Sequence, residues 1–396
     1  MFDTLSLYQL DITTRIAREL IDGTFPHAVL FHGARFSGRM SIVLEICRIL
    51  SCRKDGYSRC DCPSCKAFTM LETPNTVIIS VRDHQSVLET AMKNFVEQRT
   101  DSSRRYLIRS VRIMLLQYHG ALLEEKDQKS SAAFSAASVV DELLMEIEKL
   151  NESNSSTQVD KLMRQLRESI KPIVTQSRKS SALTIAQVRA IQDWTNRTSL
   201  DGLPRFVILE GIEQSMEGAR NSLLKMLEEP PENTYLFLIT ENVGRIIPTI
   251  LSRVRRYFVP PLTEDAKTML LSREFFADGD AYDSLETYFL LHAGVDCTLI
   301  ASLSEQYLKG ALRVLPMDGQ ELHALLNTLD ETGQHEYFLR DLMLAVQQEC
   351  LDGGMHASIA LKMVPMVREM ANRGLIYNQN RKLTLESLFY QLREVL

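Results

Sequence analysis

Residues His27 to Leu50, HAVLFHGARFSGRMSIVLEICRIL, constrain the fold more than any other stretch of the chain. A short apolar run ends in glycine, a loop framed G-x-x-x-x-G runs from Gly33 to Gly38, and apolar residues then recur at helical spacing. Strand, glycine-bounded turn and helix in that order open an α/β nucleotide-binding unit, with a parallel sheet covered by helices. Further strands are predicted at NTVIISV, RFVILEG and TYLFLIT, with the helix GARNSLLKMLEE between the last two. Pro230 and Pro231 stop that helix, because proline cannot extend the hydrogen-bond ladder.

The loop has the spacing of a phosphate-binding loop without its chemistry. Such a loop needs a lysine to neutralise the outer phosphates and a hydroxyl to hold Mg²⁺, beside backbone N–H groups and a helix N-terminus. Here Arg39 and Met40 occupy those two positions. The guanidinium is planar and bulky where a compact ammonium is wanted. A thioether is a soft ligand that does not coordinate Mg²⁺. Gly33, Gly38 and Arg39 therefore read as a degenerate, inactive nucleotide site, or simply as a turn that needs glycine's backbone freedom.

Five of the seven cysteines lie close together, in the stretch from Cys47 to Cys65. Density of this kind in a reducing compartment favours a metal site over a disulfide framework. Cys52, Cys60, Cys62 and Cys65 are the candidate ligands of a structural, tetrahedral Zn²⁺ that would staple the excursion between the first helix and the second strand. Cys47 lies on the apolar face of the preceding helix and reads as core. Only Asp61 separates Cys60 from Cys62, so either the knuckle is distorted or one of these thiols is not a ligand.

From about Arg82 to Ser181 the composition shifts to long charged helices, expected to be broken by serine-rich stretches such as KSSAAFSAAS and NESNSSTQ, and suited to a helical hairpin or short coiled coil. Beyond Pro261 the pattern is helical almost throughout. At 396 residues and 45% hydrophobic content the chain is too long for one ordinary core and predicts two or three domains. A net charge of -6 argues against a broad basic face that binds nucleic acid unaided. MFDTLSLYQLDITTR carries acidic residues early and does not resemble a signal peptide, and no apolar run approaches the roughly 18 to 20 residues of a membrane-spanning helix, so a cytoplasmic protein is expected. His27 and His32 flank the first strand without a nucleophile or orienting carboxylate and are assigned no catalytic role.

The stretch GARNSLLKMLEEPPENTYLFLITENVGRIIPTILSRVRRYFVPP resembles the clamp-loader branch of the AAA+ ATPases. Members carry N-x-L-L-K-x-L-E-E-P-P, matched here by Asn221, Leu223, Leu224, Lys225, Leu227, Glu228, Glu229, Pro230 and Pro231. They then carry P-T-I-x-S-R-C, matched from Pro248 to Val254, with valine in place of the cysteine. FPHAVLFHG, LTIAQVRAIQDW and NQNRKLTLESLFYQL extend the resemblance to roughly residues 5 to 80 and 182 to 396. It implies an AAA+ domain over 1–262 holding a zinc module (52–65) and a helical insertion (83–181), a helical lid over 263–310 and an all-α collar, the oligomerising part, over 311–396.

The resemblance also implies roles. An active member has Asp then Glu after the strand RFVIL, the second polarising the attacking water, whereas this chain has Glu210 and Gly211. The pattern resembles the non-hydrolysing subunit of the bacterial DNA polymerase III clamp loader more than its ATP-hydrolysing gamma/tau subunit. That implies a stator at one end of a five-membered ring, with Arg253 reaching into the ATP site of a neighbour as a trans arginine finger and ATP bound only by that neighbour. The implied partners are the gamma/tau and delta subunits and, through the complex, the sliding clamp and primer-template DNA. A gamma-like ATPase in which Arg39 and Glu210 suffice, and a zinc-stapled interaction scaffold, are the competing readings. In clamp-loader subunits of this type a distant first cysteine precedes C-x-x-C-x-x-C, from which the Cys60–Cys62 spacing departs.

Overall fold

The structure is a computed structural model and describes residues 1–396 except 81, 83, 123–127, 151–153, 180–182, 198–201, 216, 333, 377–379 and 396. Residues 83 and 181, the expected limits of the insertion, lie outside the described residues, as do 151–153 of NESNSSTQ and 378 and 379 at the start of NQNRKLTLESLFYQL. The chain divides into two compact units, Met1–Ala293 and Gly294–Leu396.

The first unit runs in the order α1 (Leu10–Ile21), β1 (Ala28–Gly33), α2 (Arg39–Leu50), α3 (Pro63–Met70), β2 (Thr76–Ile79), α4 (His84–Gln98), α5 (Asp101–Leu115), α6 (Gln128–Glu148) and α7 (Ser156–Lys179). It continues with α8 (Ile185–Thr195), β3 (Arg205–Glu210), α9 (Glu217–Glu228), β4 (Thr234–Thr240), α10 (Pro248–Leu251), β5 (Arg255–Val259), α11 (Glu264–Glu274) and α12 (Leu285–His292). The strands form one parallel sheet in the order β2-β3-β4-β1-β5. Strands buried on both faces read as continuous apolar runs, which is why the first four were visible in the sequence. Alternate residues serve two cores. Val29, Phe31, Phe206, Ile208, Phe237 and Tyr257 face α1, α2 and α3, whereas Leu30, Val207, Leu209 and Leu236 face α8, α9 and α10. β5, RRYFV, carries no such signal because Arg255, Arg256 and Phe258 are exposed on the edge strand.

The chain leaves β1 through Gly33, where a Cβ would lie 2.0 Å from the Val259 carbonyl oxygen. Only glycine fits that close approach. Gly38, with φ 89°, then starts α2 from the left-handed region.

Between β2 and β3, α6 and α7 pack as a consecutive pair, in keeping with the expected hairpin or short coiled coil, and the unit is larger than that pair. α4, α5, α6 and α7 share one core of their own, built from Leu88, Phe95, Leu107, Val111, Val140, Leu144, Leu166 and Ile173 among others. KSSAAFSAAS does not break a helix but lies inside α6, where its alanines offset the weak helix preference of serine. The bundle meets α12, where Thr90 Oγ1 donates to the Phe289 carbonyl at 3.1 Å, and the end of α11, where Tyr106 lies edge-on to Phe275.

The second unit is helical: α13 (Cys297–Ala311), α14 (Gly319–Thr332), α15 (His335–Leu351), α16 (Ala357–Ile376) and α17 (Arg381–Glu394). Tyr307 is fully buried at its centre between Phe338 and Phe389, and its hydroxyl donates to the Leu385 carbonyl at 2.6 Å. The division at Ala293 falls within 263–310, so α11 and α12 stay with the sheet and α13 starts the second unit. Among the described residues no helix is long and apolar enough to cross a membrane.

Leu166 is fully buried in the four-helix core. Leu166→Ala is expected to lower the stability of the first unit by about 2–5 kcal/mol, the usual effect of such a cavity, read as a fall in the urea midpoint.

Candidate functional site: a self-paired phosphate loop, an arginine and a thiol cluster

The loop from Gly33 to Gly38 is tied to the chain on every side. Gln9 Nε2 donates to the Ser37 carbonyl at 2.9 Å and to the Pro260 carbonyl at 2.8 Å. Phe36 stacks on Phe289 of α12 with ring centres 5.1 Å apart, and Arg35 Nη1 pairs with Glu286 Oε1 at 3.0 Å. Arg39, the first residue of α2, is buried. Its Nη1 donates to the Thr240 carbonyl at the end of β4, and its Nη2 lies 3.7 Å from Glu241. Met40 is buried in the core. The positive charge that the sequence placed in the loop is thus committed to the end of the neighbouring strand.

Glu210, at the end of β3, is also committed. Arg82 Nε and Nη2 donate to its two carboxylate oxygens, each at 2.7 Å, and the Ser80 hydroxyl donates to Oε2. Burial alone would favour the neutral acid, but the charge and hydrogen bonds of Arg82 outweigh it and hold the carboxyl at about 2. Gly211 follows with φ 76°, donating its N–H to the Ile239 carbonyl at 2.9 Å and offering no carboxylate. The next acid, Glu213, keeps Oε2 without a hydrogen-bond partner, and burial raises its pKa. Sequence reasoning missed Arg82. It stands 128 residues from Glu210 and belongs to no motif.

Arg253 follows α10. Its Nε donates to Glu228 Oε1 at 2.8 Å and Nη2 to the same oxygen, while Nη1 donates to the Thr249 carbonyl at 2.7 Å. Glu228 closes α9, so the two motifs noted in the sequence meet in this ion pair. The nearby arginines are placed differently. Arg255 pairs with Glu19 at 2.9 Å, and Arg256 lies exposed on β5 near His32. His27 is structural, with Nδ1 2.9 Å from the Thr234 carbonyl and its ring stacked on Tyr235.

The four candidate thiols converge. Cys52 follows α2, Cys60 and Cys62 lie in the loop beyond, and Cys65 is in the first turn of α3, which Pro63 starts. Their sulfurs all lie within 4.8 Å of one another, with Cys52 3.5 Å from Cys60 and 4.0 Å from Cys62. A tetrahedron with bonds of about 2.3 Å has sulfur–sulfur edges of about 3.8 Å, so this group can hold a metal ion with little adjustment. The short Cys60–Cys62 spacing removes neither thiol, because Asp61 turns outward to pair with Lys54 at 2.9 Å. Backbone N–H groups of Arg53 and then Cys65 pull the Cys62 thiol down to about 6. Cys47 is fully buried in the sheet core, away from this group.

The Glu210 carboxyl lies below its ordinary value of 4.5, so its pairing stabilises the fold fully above that pH and is lost as pH falls toward about 2. Glu210→Gln is expected to cost about 3 kcal/mol at pH 7. In urea titrations at stepped pH the gap to the wild type should close between about 4.5 and 2.

Comparison with known proteins bears on the family of the chain. The family model described as "DNA polymerase III, delta subunit" matches residues 8–125 and 116–263. DNA polymerase III subunit delta' of Bacillus subtilis is 38% identical over 81 residues, covering 20% of this chain and 25% of that protein. The subunit delta' of Escherichia coli is 33% identical over 101 residues, covering 26% and 30%. That of Buchnera aphidicola from Baizongia pistaciae is 40% identical over 78 residues, covering 19% and 23%. The matches thus span no more than about a third of these relatives. A family model that covers the whole sheet, the phosphate loop and the Arg253 motif settles the matter of kinship: the chain belongs to the DNA polymerase III delta subunit family.

Proposed function

We propose that the chain is a clamp-loader subunit of the delta' kind, which hydrolyses no ATP through its own loop and lends Arg253 to the ATP site of a neighbouring gamma/tau subunit. The observation that carries the reading is the double commitment of the loop's charges. Glu210 is held at both oxygens by Arg82, Arg39 is turned onto Thr240 and Glu241, and position 211 has no carboxylate. A Mg²⁺–triphosphate would have to displace these pairs and would still find no base for the attacking water.

Arg253 suits the trans role because it lies at the surface in a short turn, with its guanidinium already held in plane by Glu228 and the Thr249 carbonyl. A guanidinium binds γ-phosphate oxygens with two hydrogen bonds and stabilises transition-state charge. In this reading the collar, 311–396, joins the ring with gamma/tau and delta subunits in the cytoplasm. The chain acts on the sliding clamp and primer-template DNA only through that assembly. The lid over 263–310 packs its helices α11 and α12 beside the loop. The thiols of Cys52, Cys60, Cys62 and Cys65 hold a structural Zn²⁺ that pins the turn between α2 and α3.

Reconstitution with a gamma/tau ATPase tests the reading. Arg253→Ala is expected to lower turnover at the shared site by about 10³-fold or more, leaving assembly intact, while Arg255→Ala leaves turnover unchanged. Multiple-turnover ATP hydrolysis by the purified chain alone, unaffected by added subunits, would overturn it.

A further inference from the structure

Arg48, on the last turn of α2, is an unusual guest beside a cluster of thiols. It is 6% exposed, and its guanidinium makes four hydrogen bonds. Nε and Nη2 donate to the two carboxylate oxygens of Glu45 at 2.9 and 2.8 Å, and Nη2 donates also to the Gly56 carbonyl at 2.9 Å. Nη1 donates to Cys65 Sγ at 3.0 Å. The first three bonds fix the plane of the guanidinium from one side, and the fourth aims its remaining edge at sulfur. Cys65 is the most buried of the four clustered thiols, 1% exposed, so solvent does not take the place of that donor.

Four thiolates around Zn²⁺ carry a net charge of about −2, which burial penalises unless donors face the sulfurs. A guanidinium N–H is a charge-assisted donor, stronger than the backbone N–H groups that serve Cys62. We propose that Arg48 is the outer-sphere donor of the zinc centre: its Nη1–H···Sγ bond to Cys65 tightens metal binding and makes the bound Cys65 thiolate a poor nucleophile. Glu45 and the Gly56 carbonyl act by holding the guanidinium in that orientation. The inference rests on the zinc reading given above.

The test uses the full-length chain loaded with Zn²⁺, with metal content read by mass spectrometry and affinity read by competition with a chromophoric chelator. Arg48→Met is expected to weaken Zn²⁺ binding by about 10–100-fold, the usual effect of losing an outer-sphere partner. Arg48→Lys, which keeps the charge without the planar fork, should recover part of the loss. N-ethylmaleimide should alkylate Cys65 faster in the zinc-loaded Arg48→Met protein than in the zinc-loaded wild type. Glu45→Gln, which loosens the anchor but keeps the N–H···S donor, should speed the labelling of Cys65 by less than Arg48→Met does.

Wild-type affinity and wild-type labelling in a folded Arg48→Met protein would overturn the role of Arg48 and leave the zinc reading intact. A wild-type chain that takes up no stoichiometric Zn²⁺ would overturn both. Should Arg48→Met fail to fold by circular dichroism, Arg48→Lys decides by the same two readouts.

Discussion

The ion pair between Glu210 and Arg82 sets the character of the whole α/β unit. A carboxylate at the inner end of a central strand has lost most of its water, and a charge there is tolerated only if it is paired and hydrogen-bonded. Arg82 supplies both oxygens with donors, and Ser80 supplies a third bond. Because Arg82 comes just before α4, this pair also pins the entry of the four-helix bundle to the end of β3. Removing either partner would leave the other buried and uncompensated, so the pair ties the elaboration of the fold to its centre.

The loop opposite follows the same rule. Arg39 is buried at the start of α2, and its charge is met by the Thr240 carbonyl and Glu241. The aromatic contact of Phe36 with Phe289 and the pair of Arg35 with Glu286 then bring α12 onto the loop. Arg35 and Arg39 are therefore both answered from within the chain. The cations of the loop, Arg35 and Arg39, are thus turned onto the chain's own strands and helices.

Much of this architecture was legible in the residues. Four strands announced themselves as unbroken apolar runs, α9 ended at the predicted prolines, and the cysteines clustered in space as they do in sequence. What was not legible is what depends on distant partners. Nothing local marks Arg82 as the partner of Glu210, since its role exists only once β2 and β3 lie side by side. The insertion read as a hairpin or short coiled coil because helical periodicity shows that a face is apolar but not how many faces meet. Four helices closing on Leu144, Leu166 and their neighbours is a tertiary fact. KSSAAFSAAS misled because serine propensity is a weak signal, overridden by alanine content and by the core that the rest of α6 builds. β5 was silent because it is an edge strand that exposes Arg255, Arg256 and Phe258 and buries only Tyr257 and Val259.

The environment of Arg253 bears on which arginine of SRVRRY suits a role in a neighbour's site. Arg255 is bound to Glu19, whose side chain is only 12% exposed and also accepts from Tyr257 and Arg15, so that carboxylate sits in a network that resists opening. Glu228, by contrast, is 48% exposed, and a solvent-exposed pair of this kind contributes only about 0–1 kcal/mol. A phosphate oxygen with fuller charge, met in a site that excludes water, competes well against such a partner. The carboxylate thus orients the guanidinium in the free chain while holding it only weakly. That balance comes from placing the acid at an exposed helix end rather than in the core, and it distinguishes Arg253 from its neighbour two residues on.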